Sequence, residues 1–129
     1  MNHGLEVNRV MHVDLIPFKN GMIARVFGEL DLRTAPEFRD TIDSVLDRQA
    51  GDIHSIILSM GGVTFLDSSG LGAILGRYRK LSQVNGRLAA CSLTPHIMKV
   101  FELSGLLKII QVFDTEERAV AALAGGGQR

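Results

Sequence analysis

The sequence of 129 residues has no tryptophan, one tyrosine and one cysteine, Cys91. One cysteine cannot form an internal disulfide, so the apolar core has to hold the fold. That core is expected to be aliphatic, because aromatic residues make up 5% of the sequence and hydrophobic residues 46%. A domain of this length buries roughly two-thirds of the surface of its unfolded chain. One domain without a stabilising metal or disulfide is therefore predicted.

The sequence also has no net charge and no long apolar run. Fourteen Lys and Arg residues balance fourteen Asp and Glu residues, which gives a formal net charge of zero. Such a chain has no long-range field to gather nucleic acid or an anionic membrane, so neither is expected as a partner. No apolar run is long enough to span a bilayer and no secretory signal is evident, so we expect a cytoplasmic protein.

The residue types that carry metal or nucleophilic chemistry are sparse. The four histidines, at positions 3, 12, 54 and 96, include no pair at metal-ligand spacing. Cys91 lies in an apolar run and is expected in the core. Ser68 lacks a Gly-x-Ser-x-Gly elbow, and no phosphate-binding Gly-Lys-Ser/Thr loop is present. The sequence thus predicts no metal and no cofactor, and it contains no hydrolase motif.

Strand and helix patterns alternate after an opening hairpin, which indicates an α/β fold with a mixed sheet of about five strands and about four helices. Asn-Gly pairs at 20–21 and 85–86 predict turns. Predicted strands cover 11–17, 22–27, 53–58, 87–91 and 107–112, and residues 28–31 are expected to leave the sheet. Helices are predicted to begin near Thr34, Asp67, Thr94 and Asp114.

Three glycine-containing stretches carry further expectations. Residues 60–62 (Met-Gly-Gly) predict a flexible approach to Ser68. Gly105 is placed to end the third helix. Gly72 and Gly76 lie four residues apart on the second helix, where each costs up to about 1 kcal/mol of helix propensity. Either close packing within the domain or a contact face for a partner would account for them.

An acidic and hydroxyl-rich turn joins the third strand to the second helix. Asp67 and the two serines after it can cap this helix, whose first N–H groups have no intrahelical partner and whose dipole is positive at this end. Asp31 follows the second strand, and adjacent strands would bring both turns to one edge of the sheet. A phosphate on an exposed serine there would add about −1.5 to −2 charges, enough to act as a switch.

The chain resembles the STAS-domain family over residues 11–123. The residues that carry the resemblance are Gly28-Glu29-Leu30-Asp31 with Thr34-Ala35, the run FLDSSGLG at 65–72, and Ser104-Gly105-Leu106. Residues 74–78 and 104–110 are more narrowly similar to the sporulation branch of the anti-sigma factor antagonists.

This resemblance implies that the protein is not an enzyme but the substrate of one, a serine kinase. Unphosphorylated, it would bind an ATP- or ADP-bound anti-sigma factor, itself a serine kinase, and free the sporulation sigma factor. Phosphorylation of Ser68 would end binding until a serine phosphatase removes the phosphate. The implied partner-binding residues are Asp31, Thr34, Asp67, Ser68, Ser69, Gly70 and Leu71.

Three other functions stay open from the sequence. A general stress-response antagonist would share the serine switch and recognise a different kinase. A STAS scaffold or ligand-sensing module would need no kinase, and a hydrolase would lose turnover when Ser68 is replaced by Ala. We further expect a monomer, with an N-terminal extension at 1–10 and a flexible tail at 124–129.

Overall fold

The structure, a computed structural model, describes residues 10–48 and 54–124. The predicted extension and tail therefore lie outside the described residues, apart from Val10 and Ala124. The strands are β1 (Met11–Phe18), β2 (Gly21–Leu30), β3 (Ser55–Leu66), β4 (Arg87–Cys91) and β5 (Gln111–Phe113). The α-helices are α1 (Ala35–Arg48), α2 (Ser68–Ser82), α3 (Pro95–Ser104) and α4 (Glu116–Ala124), and Leu106–Lys108 forms a 3-10 turn.

The five strands form one mixed sheet in the order β1-β2-β3-β4-β5. β1 and β2 form the predicted antiparallel hairpin, with Asn20 in the left-handed conformation (φ 63°) at its turn. The remaining neighbours pair in parallel, with α1, α2 and α3 in the connections. The predicted α/β fold with a five-stranded mixed sheet and four α-helices is confirmed.

The apolar core lies on both faces of the sheet. One face packs against α1, α2 and α3, with Phe38, Ile74 and Phe101 almost fully buried. The other face packs Ile23, Ile57, Ala89 and Cys91 against Ala119 and Leu123 of α4. Cys91 is in the core, as predicted. No α-helix of residues 10–48 and 54–124 is long and apolar enough to cross a membrane.

Two predicted strand ends were wrong, and both strands are longer. β2 continues through Gly28 to Leu30, and β3 continues through 60–62 to Leu66. The two strands stay paired along this extension, with register shifts between Arg25 and Phe27 and between Gly28 and Glu29. The Phe27 ring lies over Gly62, where an added Cβ would come within 2.4 Å of Cδ2. Here glycine admits an aromatic ring instead of breaking the strand.

The predicted last strand was wrong over 107–110. Gly105 ends α3 in the left-handed conformation (φ 86°), and the chain then turns within residues 106–108. Ile110 N donates to Leu106 O at 2.8 Å, and both side chains are buried. Leu106 and Ile110 thus reach the core from a turn, and β5 begins only at Gln111.

Candidate functional site

The ends of β2 and β3 lie side by side at the candidate site. The parallel register pairs Leu30 with Leu66, and Asp31 and Asp67 follow directly on their strands. The backbone N–H of Asp67 donates to the Leu30 carbonyl at 3.3 Å. The structure therefore brings together the two acidic turns that the sequence placed at one edge of the sheet.

Asp67 is the N-cap of α2. Its Oδ1 atom accepts hydrogen bonds from the backbone N–H groups of Ser69 (2.9 Å) and Gly70 (3.0 Å). Two of the otherwise unpaired N–H groups of the first turn are thereby satisfied. Ser68 is the first residue of the helix and is exposed. Another protein can therefore reach the Ser68 hydroxyl without unfolding of the turn.

Gly70 allows the first turn of α2 to sit against the end of β2. An added Cβ at this position would lie 2.4 Å from the Leu30 carbonyl oxygen and 2.7 Å from Leu66 Cδ1. Real side chains do not make such contacts with backbone atoms, so the space exists only for glycine. Gly70 is buried and sets where Ser68 and Ser69 emerge.

The carboxylate of Asp31 is held inside its own loop. Oδ1 accepts hydrogen bonds from the backbone N–H groups of Arg33 (2.9 Å) and Thr34 (3.3 Å), and Oδ2 accepts one from Arg33 Nη2 (2.7 Å). The Arg33 guanidinium holds the pKa of the Asp31 carboxyl below its usual value. Arg33 also pairs with Glu29. Asp31 is therefore a charged, nearly buried residue that shapes the loop.

Thr34 is buried and completes this loop. Its Oγ1 accepts a hydrogen bond from Asp31 N at 3.0 Å and donates one to the Glu29 carbonyl at 2.7 Å. Arg33 and Glu29 were not predicted as site residues, although the alternating Glu-x-Asp-x-Arg pattern at 29–33 was a usable signal. It places two acids at two and four residues before one arginine.

A shallow groove runs between α1 and α2 next to Ser68. Its lining residues are Leu32, Ala35, Pro36, Arg39, Ser69, Gly72 and Ala73. Leu32 is 74% exposed at its edge. Apart from the backbone of its own helix, an added Cβ on Gly72 or Gly76 would meet no atom within 4 Å. Close internal packing, one of the two explanations predicted for these glycines, is therefore wrong.

Ion pairs continue this groove along α1 and α2. Arg77 Nε lies 3.0 Å from Asp43 Oδ1, and Lys80 Nζ lies 3.4 Å from the same atom and 3.2 Å from Asp47 Oδ1. Residues early in α1 thus face residues early in α2, and later residues face later ones, so the two helices run in the same direction. Leu71, on another side of α2, is half-buried against the core.

A second polar cluster lies on the opposite face of the sheet, under the start of α4. Glu116 accepts two hydrogen bonds from Arg25, each 2.8 Å, and one from Ser59 Oγ at 2.6 Å. The largest influence on Glu116 is its hydrogen bond with Arg25, which lowers the pKa of the Glu116 carboxyl. Burial raises the pKa of the Cys91 thiol. Within the described residues, no three His, Cys, Asp or Glu side chains could hold a metal ion together.

Comparisons with known proteins agree with this fold. The STAS domain profile matches residues 12–119. An anti-sigma F factor antagonist from Paenibacillus polymyxa is 34% identical over 113 residues, covering 88% of this chain and 95% of that protein. An anti-sigma-B factor antagonist from Staphylococcus epidermidis is 29% identical over 113 residues, covering 88% and 96%.

Two solved structures of proteins named SpoIIAA, one of them described as an anti-sigma factor antagonist, are similar along most of the chain. The unphosphorylated form has a TM-score of 0.76 at 33% identity, covering 88% of this chain and 97% of that one. The phosphorylated form of the Bacillus protein has a TM-score of 0.67 at 33% identity, covering 85% and 97%. The chain belongs to the STAS-domain family, among its anti-sigma factor antagonists.

Proposed function

We propose that this protein switches partners through the phosphorylation state of Ser68. Unphosphorylated, it binds an anti-sigma factor that is also a serine kinase, in its ATP- or ADP-bound state, and thereby frees a sigma factor. The kinase transfers the γ-phosphoryl group of ATP to Ser68 Oγ, the hydroxyl proton leaves and ADP is released. A serine phosphatase then restores the hydroxyl. This cycle is proposed to run in the cytoplasm with a monomeric antagonist.

The observation that carries this proposal is the position of Ser68. It is exposed at the first residue of a helix whose cap, Asp67, and close packing, at Gly70, fix the direction in which it emerges. A kinase needs an accessible hydroxyl, and the fixed surroundings of this one give a partner a defined surface to recognise. The phosphorylated SpoIIAA structure supports this, because that relative is phosphorylated in a similar fold.

Electrostatics supply the reason that phosphorylation would end binding. Ser68 lies beside Asp67 and near Asp31, and a phosphate adds about two more negative charges. Desolvating this group in an interface costs more than burying a neutral hydroxyl. A hundredfold loss of affinity requires only about 2.8 kcal/mol. The switch therefore needs no refolding of the domain.

The predicted partner-binding residues divide by burial into two roles. Thr34 and Gly70 are buried and Asp31 is bonded to its own loop, so we assign these three to positioning the surface. Ser68, Ser69 and the exposed edge of Asp67 are proposed to touch the anti-sigma factor. Leu71 is assigned to the edge of the interface, since it is half-buried. The α1–α2 groove, with exposed Leu32, extends this surface.

The sporulation anti-sigma factor is the preferred partner. The Paenibacillus polymyxa and SpoIIAA similarities, at 34% and 33% identity, support it. A general stress-response partner is the second candidate, favoured by the 29% identity to the anti-sigma-B factor antagonist. A scaffold or ligand-sensing module without a kinase is the third and is favoured by no contact described above.

The deciding experiment measures intact mass after incubation with Mg-ATP and the sporulation anti-sigma kinase. We expect one added phosphate on the wild type and on Ser69→Ala, and none on Ser68→Ala. If only the stress-response kinase adds a phosphate, the stress-response anti-sigma factor replaces the sporulation one as the proposed partner. Absence of phosphate with both active kinases, on a protein shown to be folded, would contradict the proposed switch.

A further inference from the structure

The charges along the α1–α2 groove follow a pattern that one residue breaks. Asp43 and Asp47 on α1 face Arg77 and Lys80 on α2 and pair with them. One turn before Asp43, Arg39 faces Ser69 and Gly72, which bring no charge. The Arg39 side chain is exposed and makes no hydrogen bond or ion pair with any residue of 10–48 and 54–124. The positive charge of Arg39 thus lies at the open end of the groove, opposite residues that carry no negative charge.

Ser68 is placed to supply the missing negative charge. It lies four residues before Gly72 on α2, and residues at this spacing share one face of a helix. Gly72 lines the groove together with Arg39, and apart from the backbone of α2 no atom would lie within 4 Å of a Cβ there. Nothing at position 72 therefore separates Ser68 from the groove. A phosphate would bring three acceptor oxygens to this end.

The charged groups of the two turns beside Ser68, at 29–33 and at Asp67, are already engaged. Asp67 accepts hydrogen bonds from the first turn of α2. Arg33 is bound by both Asp31 and Glu29, which offset its charge. Of the two arginines near this end, Arg39 alone lacks an acidic partner in the part of the chain that the structure describes.

We propose that phosphorylated Ser68 pairs with Arg39 across the open end of the α1–α2 groove. Arginine is well suited to this, because its planar guanidinium donates two parallel hydrogen bonds to a phosphate. The ion pair completes the row of acid–base contacts between the two helices. It also covers the groove beside Leu32, so the modification removes docking surface in addition to adding charge. This inference rests on Ser68 being the modified residue.

The test uses full-length protein with phosphoserine incorporated at position 68 during translation, so that no kinase is required. A ³¹P NMR titration gives the second pKa of the phosphate, which is about 6 without special contacts. We expect Arg39→Gln to raise this pKa by about 0.5 unit relative to the wild type, as for a partly exposed ion pair. Arg39→Lys should raise it less, because the charge is retained.

Arg79→Gln is the matched control. Arg79 is an exposed arginine on α2, eleven residues after Ser68 and thus about 16 Å along the helix, beyond the screening distance at physiological salt. Its removal should leave the phosphate pKa unchanged. Equal phosphate pKa values in the wild type, Arg39→Gln and Arg79→Gln would overturn the proposal.

A second readout detects the contact directly. On phosphorylation, the Arg39 Nε–H resonance should shift and its exchange with water should slow. Unchanged Arg39 resonances would count against the pairing, whatever the kinase experiment shows. A failure of Ser68 phosphorylation by both kinases would instead contradict the proposed function, so the two failures are distinguishable.

Discussion

Single residues in the first two turns of α2 have opposite requirements for space. Gly70 is confined by the Leu30 carbonyl oxygen, whereas Gly72 has open space around its missing Cβ. The two glycines lie in one helix two residues apart, which makes them a matched pair. A fold requirement can thus be separated from a requirement imposed by a partner.

We predict that Gly70→Ala destabilises the protein by about 1 to 3 kcal/mol, because α2 has to move away from β2. Gly72→Ala should stabilise it by about 0.5 to 1 kcal/mol, since alanine favours the helix and clashes with nothing. Urea denaturation of both variants measures these changes. Equal effects of the two substitutions would show that the packing difference has no energetic consequence.

At the scale of elements, the N-terminus of α2 depends on one side chain. Asp67 caps two N–H groups through a single oxygen, which asparagine also carries. We predict that Asp67→Ala lowers the free energy of unfolding by about 1 kcal/mol, whereas Asp67→Asn leaves it nearly unchanged. Urea denaturation of the two variants checks this, and an equal loss in both would assign the effect to charge.

The Glu116 carboxylate holds the start of α4 to the sheet through Arg25 and Ser59. The pKa of Glu116 lies below its usual value of 4.5 because Arg25 favours the charged form. The unfolded chain therefore binds the proton more readily, so this contribution to stability is complete above about pH 4.5 and is lost as the pH falls through the lower, folded value.

We predict that Glu116→Gln lowers stability at neutral pH by about 1 kcal/mol, a value reduced for the exposure of Arg25. The difference from the wild type should disappear under strongly acidic conditions. Urea denaturation across pH measures it. Glu117→Gln is the control, since Glu117 is exposed in the same first turn. A pH-independent loss in Glu116→Gln would argue against the ion pair.

The sequence predicted elements well where periodicity and caps agreed. Thr94 caps α3 and Gly105 ends it as predicted, because both signals act within one turn of chain. The ends of β2 and β3 were missed because the neighbouring strand decides each of them. Gly28 pairs with Val63 and Gly62 pairs with Phe27, so both glycines stay in strands. Ser68 and Asp67 stood out in the sequence, whereas the groove with Arg39 required the relative placement of two helices.

At the scale of the whole molecule, phosphorylation changes charge more than structure. The chain has a formal net charge of zero, so one phosphate makes it about −2. Because Ser68 is exposed at a helix N-terminus, we predict that the free energy of unfolding changes by less than about 1 kcal/mol. Urea denaturation of the phosphoserine form measures this. A loss of several kcal/mol would show that the switch works by local unfolding.

The order of the strands in space repeats their order along the chain. Each strand after the first therefore finds its partner in the strand made just before it, so the sheet can grow from one side as the chain leaves the ribosome. The serine, its cap and the residues that line the groove all lie between positions 29 and 73, from the end of β2 to the start of α2. The residues of the switch are thus synthesised before β4, β5 and the last two helices, which complete the sheet on its far side.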